Sequence, residues 1–84
     1  MDKVYVIINV ISGLNVETDV FVNVYSTKEK AIKALEYEKI DSIRMYPYFK
    51  VEEENETYFK MVSWDWEDEL EVYIMEKTVD GFSS

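Results

Sequence analysis

The chain of 84 residues has no cysteine and no histidine, only two glycines and a single proline. Without cysteine there is no disulfide framework and no thiolate metal site, and nothing argues for an oxidising compartment. Without histidine or cysteine, the usual neutral-pH base, thiolate nucleophile and imidazole ligands are missing. Gly13 and Gly81 stand too far apart to form a phosphate-cradling loop, so nucleotide-binding fingerprints are absent. Carboxylates remain, but acid/base work requires one acid in a dry pocket with a raised pKa, and here the acids fall in turns. Asp65, Glu67, Glu69 and Glu76 match positions 1, 3, 5 and 12 of a calcium loop, yet Leu70 stands where that loop requires glycine. No enzyme activity, cofactor or metal is therefore expected.

Positive charge is also scarce, with nine Lys and Arg against 18 Asp and Glu and a net charge of −9. The imbalance is local. Between Glu52 and Glu71 lie nine acids and one base, Lys60, so this stretch holds nearly all of the excess. Such a chain is repelled by nucleic acid and by anionic membrane, and its attractive partners are basic. Long hydrophobic runs are lacking too. The longest apolar stretch, Val4 to Ile11, is interrupted by Asn9 and falls far short of the ~20 residues that span a bilayer. No cleavage pattern follows it, so a cytoplasmic protein is expected, and the acceptor-like "NET" at 55–57 carries no meaning there.

What is present is β-patterning around one helix. Val4, Val6, Ile8 and Val10 alternate with Tyr5, Ile7, Asn9 and Ile11, so both faces of a first strand are largely apolar and an interior position is expected. Gly13 and Asn15 mark a turn, and Thr18 to Tyr25 reads as the second strand of a hairpin. Ser26 and Glu29 form a capping-box pattern, from which a helix with Ala31, Ile32 and Leu35 on one stripe and Tyr37 exposed is expected to run to about Ile40. Pro47 stops any continuation. Strands then read as 48–52, 57–66 and 70–78, with turns at "EENE" and "EDE" and a frayed tail over 79–84. The order is ββαβββ, a single α+β domain with a largely antiparallel sheet and one helix packed on one face.

One helix roofs one face of a five-stranded sheet. With the valine rows beneath it, the opposite face carries Tyr5, Ile7, Phe21, Tyr25, Tyr73 and Met75. A monomer rarely leaves so many large apolar groups in water, so this face is expected to close on a second copy or to receive a partner, unless the sheet's own loops cover it.

The segment "WDWEDELE" at 64–71 sets two tryptophans among five carboxylates. Trp64 is expected in the core and Trp66, beside a turn, as a partly exposed anchor, since tryptophan dominates interface hot spots. Glu52, Glu53, Glu54 and Glu56 at one turn, with Asp65, Glu67, Asp68, Glu69 and Glu71 at the other, would supply charge towards a basic partner. The two turns cap opposite ends of one strand and stand roughly 30 Å apart, at ~3.3 Å per residue, so they converge only if Glu52, Asp65 and Glu71 share a side.

A short, acidic chain without cysteine or histidine, carrying "EEENE" and "WDWEDELE", resembles the small anti-defence proteins of bacteriophages and mobile elements, including nucleic-acid mimics and anti-CRISPR inhibitors. The resemblance lies in composition and layout across the whole chain. It implies stoichiometric inhibition of a nuclease or another basic nucleic-acid-binding protein by occupation of its nucleic-acid site. Two other classes are compatible with the sequence. One is a homodimeric scaffold that uses the aromatic sheet face and keeps its acids for solubility. The other is a small-ligand or peptide carrier with a tyrosine-lined groove.

Overall fold

The computed structural model describes residues 2–14 and 17–79. Its elements are β1 (Asp2–Gly13), β2 (Asp19–Tyr25), α1 (Lys28–Met45), β3 (Phe49–Glu54), β4 (Tyr58–Ser63) and β5 (Asp68–Val79). The five strands form one antiparallel sheet in the order β2-β1-β5-β4-β3, so the expected ββαβββ, α+β architecture is the one observed. The helix joins the two edge strands. No helix among the described residues is long and apolar enough to cross a membrane.

The spine of the sheet is the pairing of β1 with β5, in register from Asp2↔Val79 to Gly13↔Asp68. Val79 thus ends a strand and does not begin a frayed tail; the rest of that tail, and Asn15, lie outside the described residues. At Gly13 φ is +152°, a conformation that glycine adopts without steric cost. A Cβ there would also lie 2.6 Å from the Asp68 Cα, which is why β1 and β5 can close up at this end.

The helix begins one residue later than the capping-box pattern suggests. Thr27 is its N-cap, and its hydroxyl accepts from the Lys30 amide at 3.2 Å. It also runs five residues beyond Ile40, to Met45. The buried stripe is Ala31, Leu35, Lys39 and Ser42, which continues the helical period with polar residues and so fades to the eye after Leu35. Lys39 is only 6% exposed; its ammonium donates to the Asn55 carbonyl at 2.8 Å and pairs with Glu36 at 3.3 Å. Tyr46, the residue before Pro47, ends the helix and packs its ring on Phe49 with centroids 5.2 Å apart.

One core layer lies between helix and sheet, built from Ile7, Ile11, Ala31, Leu35, Phe59, Met61, Leu70 and Val72. Its composition reverses the expected assignment of faces. The row Tyr5, Ile7, Asn9 and Ile11 of β1 lies on the helix side, as do its β2 partners Tyr25 and Phe21, the latter still 56% exposed at the cleft beside the helix. Ile7 is 2% exposed and so is unavailable for self-association, while Tyr5 and Tyr25 pack against the core. Of the six residues expected on the open face, only Tyr73 and Met75 are there; register pairs them with Ile8 and Val6. The open face belongs to Val4, Val6, Ile8 and Val10, half-buried, and to Val20, Val22 and Val24, exposed. Large branched and aromatic chains fill the space of ~10 Å between packed layers, whereas short valines suit an exposed pleat. The first strand is therefore interior, but covered on one side only.

Candidate functional site: an acidic half-face and a tryptophan turn

The open face divides along its width. Valines of β2 and β1 occupy one half, and charged and aromatic side chains of β5, β4 and β3 occupy the other. Alternation decides which acids arrive there. On β5, Leu70 and Val72 point to the helix, so Glu69 and Glu71 point away from it. On β4, Phe59 and Met61 are core residues, so Tyr58, Lys60 and Val62 face the open side. On β3 the register shifts between Val51 and Glu53, a bulge that brings both Glu52 and Glu53 towards Lys60.

Lys60 is the centre of this half-face. Its ammonium lies 3.4 Å from Glu52 and 3.6 Å from Glu69. Burial pulls its pKa down, but Glu52, Glu69 and Glu71 outweigh that and leave it raised. Next to it, the Tyr58 hydroxyl donates to Glu71 at 2.6 Å, and the Tyr58 and Tyr73 rings stack with centroids 6.4 Å apart. The hydrogen bond to Glu71, then burial, then the charges of Glu71, Glu53 and Glu69 hold the Tyr58 phenol well above its ordinary pKa. Glu52 and Glu69, from the two acidic segments that the sequence places far apart, thus share one lysine. Acids on the strands bridge the distance that acids in the turns would not.

The turn between β4 and β5 is "WDWE", not "EDE". Asp65 ends the strand early: its Oδ1 accepts from the Ser63 hydroxyl at 2.5 Å and from the Glu67 amide at 3.1 Å. The Ser63 bond first, and the Glu67 amide second, lower the Asp65 pKa. Ser63 in turn accepts from the Asp68 amide at 3.0 Å. This chain of bonds lifts both tryptophans out of the sheet, so Trp64 is 66% exposed instead of buried, and Trp66 is 59% exposed as expected. Trp66 takes φ +64°, the left-handed region usually left to glycine. The Lys50 ammonium lies 4.0 Å from one Trp66 ring and 5.5 Å from a Trp64 ring, so the indoles gather around a cation at the rim of the acidic half-face.

The expected partner-binding set therefore separates. Glu52, Glu53, Glu69 and Glu71 come together, with Trp66 at their border. Glu54 alternates to the helix side, where it lies 3.9 Å from Lys39, and Asp68 is 6% exposed against Gly13. Neither belongs to the open face. Glu56 sits in the β3–β4 turn, while Asp65 and Glu67 are in the tryptophan turn. Lys50, Tyr58, Lys60 and Trp64 were missed by sequence reading; alternation through Phe59 and Met61 could have found Tyr58 and Lys60, but nothing local singles out Lys50. Among the described residues no group of three or more acidic side chains is placed to hold a metal ion.

On the helix side, a cleft of about 290 Å³ opens between α1 and the β1–β2 pair, lined among others by Asn9, Phe21, Asn23, Glu38 and Tyr46. Asn9 donates to Glu38 across it at 3.3 Å. No family model, curated protein or solved structure matches the chain.

Proposed function

We propose that the chain is a non-catalytic protein-binding module whose acidic half-face docks on a basic protein surface and occupies the site where that protein would hold nucleic acid. The observation that carries this reading is the gathering of Glu52, Glu53, Glu69 and Glu71 on one exposed face around a single lysine, Lys60. Same-sign charges at strand spacing repel one another, and a fold tolerates that cost where an oppositely charged partner removes it. The exposed Trp64 and Trp66 beside the acids supply the rigid apolar contact that charge alone lacks. Lys50, held over Trp66, is displaced from the indole or bridges to the partner when docking occurs. The resemblance to acidic anti-defence proteins supports the same class of target, a nuclease or another nucleic-acid-binding protein.

The test is affinity capture from host extract at low and high salt, followed by titration of the captured protein. Native chain is compared with a Glu52→Gln, Glu69→Gln, Glu71→Gln variant, and duplex DNA or RNA serves as competitor. Binding is expected to weaken steeply with salt, to fall at least tenfold in the variant and to be displaced by nucleic acid. Binding unchanged by the triple substitution, or indifferent to nucleic acid, would overturn the reading.

A further inference from the structure

Beyond that reading, the two edges of the sheet are built unlike each other. β3 is blunted in the ways edge strands usually are, with Lys50, Glu52, Glu53 and Glu54 along it and a register shift at its middle. β2, "DVFVNVY", has no lysine, no proline and no bulge, and its pairing with β1 is unbroken from Tyr5↔Tyr25 to Ile11↔Asp19. Its outer edge has no neighbour among the described residues. Val20, Val22 and Val24 are 53%, 55% and 62% exposed and extend the half-buried row Val4, Val6, Ile8 and Val10. An apolar edge of this kind, whose one charge is Asp19 at its start, is a template for another strand.

The strand's own sequence says which one. An antiparallel pair with its two-fold axis at Val22 sets Val22 opposite Val22, Val20 opposite Val24, Phe21 opposite Asn23 and Asp19 opposite Tyr25. The valines meet valines, and no acid faces an acid. Charge placement agrees. In a molecule of net charge −9, β2 carries Asp19 alone, and the nearest acids of the open face, Glu69 and Glu71, are two strands away on β5. That is ~10 Å, about one Debye length at moderate salt. On the open face, two copies meeting at this edge keep those acids apart; on the helix side Glu38 and Asp41 line the cleft beside Phe21 and Asn23. We propose that β2 pairs antiparallel with β2 of a second copy, making a continuous ten-stranded sheet with one strip of valines across its centre and an acidic half-face at each far end.

Light scattering on the native chain at rising concentration is the first measurement. The mass is expected to rise from 10.0 kDa to twice that value. Higher salt should favour association, because it screens like charges, and this is opposite in sign to the salt effect on a basic partner. Val22→Lys, at an exposed position, is expected to remain at the monomer mass with an unchanged circular dichroism spectrum. Amide hydrogen exchange over 19–25 in the native chain reads the edge directly, with protection at high concentration that disappears on dilution. A native chain that stays monomeric at submillimolar concentration overturns the proposal, including when the edge instead accepts a strand from a foreign protein. So does a dimer that survives Val22→Lys, or one in which the β2 amides exchange as fast as in the monomer. None of these outcomes bears on the acidic half-face, whose test uses different residues and the opposite response to salt.

Discussion

The Tyr58 hydroxyl and the Glu71 carboxylate, on neighbouring strands, share a hydrogen bond of 2.6 Å on the open face of the sheet. The bond, burial and the surrounding acids raise the phenol's pKa in the folded protein, whereas the unfolded chain titrates near the ordinary value of ~10. Below that value the stabilisation is fully present. As pH rises past it, the unfolded state loses its proton first, and stability falls until the folded phenol titrates as well. Chemical denaturation of native protein is therefore expected to show a loss of stability above about pH 10. In Tyr58→Phe that loss should shrink, and in Glu71→Gln an absorbance titration should find the Tyr58 phenol ionising earlier.

Gly13 permits the close approach of β1 to β5. In Gly13→Ala the added methyl meets the Asp68 backbone, and φ +152° is strained for any side chain. Overpacking of this kind costs about 1–3 kcal/mol, and the positive φ adds to it. The denaturation midpoint should fall accordingly, and the amides of Ser12 and Glu69 should lose protection from exchange.

Trp66 holds a left-handed conformation that costs a non-glycine residue about 1–2 kcal/mol. Its contact with Lys50 returns roughly 0.5–1 kcal/mol at an exposed site. Trp66→Gly should therefore leave the melting temperature unchanged or raise it, although it removes a whole indole. The same variant should weaken binding of the basic partner. A clear drop in stability would show that the indole is there to hold the turn.

Lys39 ties the helix to the β3–β4 turn through the Asn55 carbonyl. Removing the ammonium breaks this bond in a turn that water reaches, at a cost of about 1 kcal/mol. Lys39→Ala should lose that amount and the packing of the aliphatic stem as well, whereas Lys39→Met should lose less because the stem is kept. Urea titration of the two variants separates the contributions.

The order of elements was legible because strand alternation and the helical period are local signals. Val4 to Ile11 could announce an interior strand, but not which of its two apolar rows the helix would choose. That choice depends on what fills the space under α1, and it went to Ile7 and Ile11. The end of the helix was hidden for a related reason. Lys39 is intelligible as a buried residue only once the Asn55 carbonyl, sixteen positions on, is seen beside it. At the site, the acids were visible and their grouping was not. Two dislocations separate the sequence from the grouping: the bulge after Val51, and the turn closed by Asp65, which ends β4 at Ser63 and turns Trp64 outward. Each of these depends on hydrogen bonds or pairing between residues that a window of alternation treats as one run.

Asp2 and Val79 are cross-strand partners, so the start of β1 and the end of β5 stand about 5 Å apart. The start of β1 and the end of β5, meeting in this way, can be joined by a few residues and the fold reopened elsewhere without disturbing the spine. The exposed turn, cut after Glu56 so that the Asn55 carbonyl keeps its bond to Lys39, is the place to reopen it. A permutant that began there would keep every strand neighbour while moving any fused cargo from beside the β1–β5 ribbon to the rim of the acidic half-face.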